Sequence, residues 1–327
     1  MMCDRKSLIV YGVLLAALAA ACLLSLFSGA VHVPLVDMLR SNIVQLRVAR
    51  ILLCLIAGSG LSVAGVIFQS LLRIPLAEPY VLGVSSGAGL GAALAILFGL
   101  DVIGVWTLPG MAFAGALGTI LLVYALAQTG AGAIPVHTLL LSGAIVNAVL
   151  GSMLMFLVSV ASSQDLHSVV WWLLGNLQIF DWQLLRVAGA VVAVGLAVCL
   201  VLARDLNVMT LGEEAAAHLG LHVEQTKKLF FIVASLMTGA TVAACGLIGF
   251  VGLIVPHTVR LIVGPDHRRL VPASALAGAA FLVLADGFAR VVIARWWGEI
   301  PIGVITAFLG GPFFLFLLRR KKSFLRS

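Results

Sequence analysis

Runs of about twenty apolar residues, separated by short polar breaks, recur along the whole chain. That pattern constrains the fold more than any motif, because a helix needs about 20 residues to cross roughly 30 Å of hydrocarbon. Lipid offers no partner to a backbone N–H or C=O, so a chain immersed in it must form helices or a closed barrel. The two-residue alternation of a barrel strand is not seen, and the runs read as helices. Composition agrees: of 327 residues 62% are hydrophobic and 10% charged, against about 25% charged in a soluble domain.

The runs fall at 8–27, 48–72, 81–100, 107–128, 138–161, 183–202, 229–247, 250–263, 270–294 and 301–318. The expected fold is therefore an all-α polytopic membrane protein of about ten transmembrane helices, a single domain over residues 1–327. The first run, at 20 residues, exceeds the apolar core of a signal peptide, about 7–15 residues, and is expected to be an uncleaved span. The eighth has only 14 residues and is expected to be tilted, broken or partly re-entrant. The five cysteines are scattered singly and form no disulfide or zinc spacing.

Lys and Arg counts orient the chain. With the N-terminus in the cytoplasm, fourteen of the 20 basic residues fall inside, the exceptions being Arg40, Arg47, Arg50, Arg186, Arg290 and Arg295. Both termini are then cytoplasmic. The net charge of +7 is mostly this bias and calls for no nucleic acid.

Two stretches are too polar for the bilayer. Residues 204–228 contain the pattern Gly212, Glu213, Glu214, Ala215, Ala216, Ala217, His218, Leu219, Gly220, a short helix closed by glycine. Residues 162–182, on the outer side, mix Trp171, Trp172 and Trp182 with polar groups and suggest an interfacial helix with its tryptophans at headgroup depth. Gly83, Gly87 and Gly91 recur every four residues, as do Gly143, Asn147 and Gly151, a spacing that suits close helix packing or a pathway lined by backbone.

No GxxxxGK[ST] phosphate loop occurs, so energy for any transport must come from a gradient or a partner. There is no nucleophile elbow, no HExxH and no pair of carboxylates within one span, so no catalytic residues are expected. His218 and His222 are four apart, but Gly220 interrupts them, and no metal site is expected. Asp286 is the clearest acid inside a run, with Arg290 four residues on to neutralise it. An ion-coupled carrier of a small solute is the alternative reading.

Over nearly its whole length the sequence resembles the FecCD-type permeases of ATP-binding-cassette importers for iron-siderophores, haem and cobalamin. The similarity rests on separate blocks in the family's order. They are Arg47-Val48-Ala49-Arg50, then Arg73-Ile74-Pro75-Leu76-Ala77-Glu78-Pro79 with Leu82-Gly83-Val84-Ser85-Ser86-Gly87-Ala88, and Trp172-Leu173-Leu174-Gly175-Asn176-Leu177. Gly212-Glu213, Ala216 and Leu219-Gly220 follow, then the run from Gly246 to His257, Asp266-His267-Arg268 and Pro301-Ile302-Gly303. Ile74 and Ala49 depart from the family's usual asparagine and proline.

The resemblance implies a machine of two permease subunits, here expected as a homodimer, with two cytoplasmic ATPases and a periplasmic binding protein, in the inner membrane. ATP and magnesium would be used by the ATPase, and this chain would hold no cofactor of its own. Gly212, Glu213, Ala216, Leu219 and Gly220 would couple to the ATPase, with Ala216 allowing close contact. Arg47, Arg50 and Arg290 would rim the outer face and dock glutamates of the binding protein. Gly143, Asn147 and Gly151, on the fifth span, would line the pathway. The sequence does not name the cargo.

Overall fold

A computed structural model describes residues 5–27, 42–75, 77–128, 135–178, 181–293, 296 and 298–324, and among these all regular structure is helical. Arg40 and Arg295, counted above for orientation, and Leu76 of the second block lie outside the described residues. The helices are α1 (Arg5–Phe27), α2 (Asn42–Leu72), α3 (Val84–Leu97), α4 (Thr107–Ala127), α5 (Val136–Val160), α6 (Ser163–Leu173) and α7 (Trp182–Val201). They continue as α8 (Ala203–Met209), α9 (Glu213–His218), α10 (Val223–Cys245), α11 (Val251–Val263), α12 (His267–Phe288) and α13 (Ile302–Phe324).

Every apolar run of the sequence is matched by a helix. Among the described residues seven are long and apolar enough to cross a membrane, and Val84–Leu97, Val251–Val263 and Ile302–Leu315 form shorter apolar stretches. At 14 and 13 residues, α3 and α11 reach only about 20 Å. The expectation of a short, broken eighth span is met by α11. It follows a non-helical stretch, 246–250, that opens with Gly246 at φ +69° and closes with Phe250 at φ +67°.

The bundle is built around α2. Most of its apolar stretch is buried, whereas α1 lies at the periphery, almost wholly uncovered by the rest of the chain. Small residues let the backbones touch: a Cβ on Gly58 would overlap the Gly278 carbonyl of α12, and one on Gly65 would overlap the Gly252 carbonyl of α11. Without a hydrophobic drive between helices in lipid, such close approach supplies much of the association through dispersion. Gly87 and Gly91 do the same for α3 against α4, while Gly83, at φ +83°, is the turn that starts α3.

The polar stretches differ in detail from the sequence reading. Residues 162–182 do contain a helix, α6, whose start is capped by Ser162 accepting the Asp165 N–H at 3.3 Å. Trp172, expected at headgroup depth, is instead buried in the core, and Trp182 is the exposed one. In the 204–228 stretch the expected helix is α9, but α8 precedes it and α10 begins six residues ahead of its apolar run.

Candidate functional site

Four of the family-like blocks, scattered in sequence, meet at one junction. The Glu78 carboxylate accepts the Phe250 N–H, and the Tyr80 hydroxyl accepts the Ile248 N–H at 3.2 Å. Asn176 N–H donates to the Cys245 carbonyl at 2.8 Å, Ile302 N–H to that of Gly175 at 3.2 Å and Gly303 N–H to that of Leu174 at 3.0 Å. Non-helical backbone inside an apolar bundle must find its partners in protein, and these side chains and turns provide them. The blocks from Glu78, Trp172, Gly246 and Pro301 thus build a joint between half-length helices.

At one end of the bundle, α8, α9 and the first turns of α10 form a small polar lobe. Glu213 opens α9 and is shared by Lys227 at 2.7 Å and Arg73 at 3.5 Å, and Lys227 also reaches Glu224 at 3.0 Å. An acid at a helix start suits the positive end of the helix dipole. Gly212 and Gly220 flank the helix with φ of +111° and +84°, values that favour glycine, so they set the two corners of the lobe.

Ala216 needs correction. Its methyl is completely buried against the protein's own core, so it cannot be the surface that receives a partner. The outward side chains are Leu211 and Leu219, 65% and 64% exposed, with His218 and Gly220 beside them. Two large apolar side chains standing out from a polar lobe are what a docking knob presents. Leu211 falls just ahead of Gly212, where the sequence pattern begins, so the pattern does not point to it.

The opposite end of the bundle holds the arginines expected to rim a docking face, and for two of the three, Arg47 and Arg290, this too needs correction. Asp286, 1% exposed, accepts Arg50 Nε at 2.9 Å and Nη2 at 2.8 Å on one oxygen, and Arg290 Nε at 2.8 Å on the other. Arg290 also donates to Ser25 of α1, and Arg47 to the Leu26 carbonyl at 2.8 Å. Arg47 and Arg290 are buried, and Arg50 keeps 12% of its side chain exposed, with the exposed Glu299 at 3.7 Å. A fully desolvated carboxylate between two guanidinium groups ties α1, α2 and α12 together. The pairing of Asp286 with Arg290 was legible in their spacing, but Arg50 as its second partner was not.

The fifth helix gives a mixed result. Gly143 is buried where a Cβ would press on the backbone of Val81 and Leu82, so it is a packing residue and not a lining one. Asn147 is exposed, and Gly151 has open space around it. Around them Leu141, Ile145, Val149, Met153 and Phe156 form a continuous apolar face uncovered within this chain.

A further polar constellation sits at the α9 end. Asn207 of α8 accepts the His267 backbone N–H at 2.8 Å and its ring Nδ1 at 2.7 Å, and donates to Asp266 at 2.7 Å. The other ring nitrogen meets Ser70 of α2. Burial alone would raise Asp266, but the hydrogen bonds from Asn207 and the Arg268 N–H, with the charges of Arg268 and Arg269, hold its carboxyl below the ordinary aspartate value. Among the described residues no cluster of three or more His, Cys, Asp or Glu could hold a metal.

Residues 17–320 match the FecCD transport family. The chain is 49% identical over 278 residues, 85% of its length and 73% of the relative's, to the cobalamin import system permease protein BtuC of Halobacterium salinarum. It is 37% identical to the hemin transport system permease protein HmuU of Yersinia pestis, covering 85% of this chain and 83% of that one. It is 38% identical to the Fe(3+) dicitrate transport system permease protein FecD of Escherichia coli, covering 94% and 96%. A structure described as an inward-facing metal-chelate type ABC transporter superposes with a TM-score of 0.86 at 30% identity, over 96% of this chain and 99% of that one.

Proposed function

The chain belongs to the FecCD transport family, and from that premise we propose that this multi-pass ABC-importer permease moves a large metal chelate of the cobalamin, haem or iron-siderophore kind into the cytoplasm. The cobalamin relative of Halobacterium salinarum stands at 49% identity, but vitamin B12 permeases of other organisms stand at 37–38%, level with the haem and ferric dicitrate relatives, so the reading names the class of chelate. Energy comes from separate cytoplasmic ATPase subunits binding ATP and magnesium. The reading also takes in a second copy of the chain, a periplasmic binding protein, an inner-membrane location and cytoplasmic termini.

The observation that carries the reading is the α8–α9 lobe. Its buried Ala216 anchors it to the bundle, its glycine corners fix its shape, and Leu211 and Leu219 project from it. In our reading these leucines seat in a groove of the ATPase. Closure of the two ATPases then moves the lobe and shifts the permease between outward and inward states. The exposed face of α5 around Asn147 lies against the second copy, and the cargo passes between them.

Docking of the binding protein, in the same reading, works through exchange of partners at Arg50. The contact with Glu299 is long and exposed, so an incoming glutamate would replace Glu299 while Asp286 keeps its hold. The ion-coupled alternative is disfavoured by that same carboxylate. Both of its oxygens are already occupied, one by Arg50 and the other by Arg290, which makes Asp286 a structural tie between helices.

The test is uptake into proteoliposomes holding the permease with its ATPase and binding protein, offered cyanocobalamin, haemin and ferric dicitrate in turn. ATP-dependent uptake of one probe is expected. Uptake driven by a proton gradient with no ATPase present would overturn the reading.

A further inference from the structure

The Ser70, His267 and Asn207 constellation has no part in the junction or the arginine network, and it touches the docking lobe only through Asn207 of α8. The amide of Asn207 is oriented by Asp266, to which its Nδ2 donates at 2.7 Å, so its oxygen faces His267. That oxygen takes both the backbone N–H and the Nδ1–H of His267, which leaves Nε2 as an acceptor for the Ser70 hydroxyl, whose one proton is shared between it and the Val66 carbonyl at 2.7 Å. Ser70 and His267 are 2% and 1% exposed. Three elements are thereby joined through one imidazole: α2 by Ser70, α12 by His267 and α8 by Asn207.

Position gives this joint its meaning. Ser70 lies 20 residues from Arg50 on α2, and His267 lies 19 residues from Asp286 on α12, so along each helix the two ties stand about 30 Å apart, close to the thickness of the apolar bilayer. Between them Gly58 and Gly278 bring the helices into backbone contact. The antiparallel pair is fastened at both ends and in the middle. Only one end carries a bond to the segment that leads into α9.

We propose that His267 is a positioning residue for energy coupling. It locks α2 and α12 into one rigid lever and hands to it, through Asn207, the displacement of the α8–α9 lobe, so that movement at the ATPase side reaches the Arg50 and Asp286 end as a rigid-body shift. The inference rests on the ABC-importer reading given above. Rigid elements with discrete contacts are the physical means by which coupling crosses such distances.

The experiment reconstitutes the complete importer and reads molecules of the transported probe chelate carried per ATP hydrolysed, alongside the midpoint of thermal unfolding. His267→Ala and Asn207→Ala are expected to lower that ratio about tenfold, the size of a typical allosteric coupling, while ATP hydrolysis and assembly persist. His267→Asn keeps the bond toward Asn207 and His267→Gln the bond toward Ser70, so each should recover part of the ratio. A merely structural role would lower the unfolding midpoint and leave the ratio unchanged, and that result overturns the proposal. Should His267→Ala fail to assemble, Asn207→Ala and Ser70→Ala decide in its place. Absence of ATP-driven uptake in the unsubstituted complex would instead overturn the functional reading itself.

Discussion

At one end of the α2–α12 pair Asp286 is 1% exposed and held at 2.8 Å by Arg50 and by Arg290, whereas at the other end Glu213, 35% exposed, is shared by the buried Lys227 and the exposed Arg73. Both are one acid between two bases, yet burial makes them different devices. A desolvated carboxylate cannot lose its partners without great cost, so the first network fixes helices in place. The second is only partly covered, with Lys227 buried but Arg73 exposed and Glu213 half-buried, so its pairs are weaker and more screened and hold α9 less firmly.

The sharpest way to break the comparison is to remove Asp286. Asp286→Ala leaves the buried Arg290 without a countercharge and Arg50 with only the long contact to Glu299, and should destabilise the protein by about 3–5 kcal/mol. A large loss of folded protein in detergent is expected, and a thermal midpoint close to the original would show that the network is not what joins α1, α2 and α12. Next in size is Ala216→Glu, which forces a longer, charged side chain into a fully buried site and should cost about 1–3 kcal/mol from overpacking alone. Thermal unfolding would register it, and loss of ATPase docking with an unchanged midpoint would return Ala216 to the contact surface.

The lobe's exposed side chains should behave in the opposite way. Replacing both Leu211 and Leu219 by Asp is expected to leave the thermal midpoint unchanged and to weaken ATPase binding about tenfold or more, as for the centre of an interface. Co-purification of the ATPase at normal yield would count against them. The smallest effect is that of Glu213→Gln, about 0–1 kcal/mol and fading with added salt. A larger, salt-insensitive loss would mean that the two clusters are alike after all.

Much of the architecture is legible in the chain because hydropathy acts locally. Each of the ten apolar runs became a helix, and the shortness of residues 250–263 pointed to α11 and the break before it. The polar stretch 204–228 likewise gave α9, since a glycine-bounded Glu-Glu-Ala-Ala-Ala pattern specifies a short helix without tertiary help. The sites were less legible. Arg47, Arg50 and Arg290 read as a rim because arginines beside a span ordinarily reach the interface, and it is the carboxylate of Asp286, 236 residues from Arg50, that draws Arg50 and Arg290 inward. Gly143 and Ala216 were misread for a related reason: a small residue permits close approach, but its sequence does not say whether the neighbour is another chain or its own.

What the sequence determined by itself is the class of protein and its helical segments, because every backbone polar group in lipid must be satisfied within its own helix and a long apolar run leaves no other choice. What only the tertiary structure decided is which polar groups meet. Ser70 and His267 are 197 residues apart, and Asn207 and His267 60. Their bonds exist because Gly58 and Gly278 let α2 and α12 lie in backbone contact, which brings residues from distant spans within reach of a hydrogen bond.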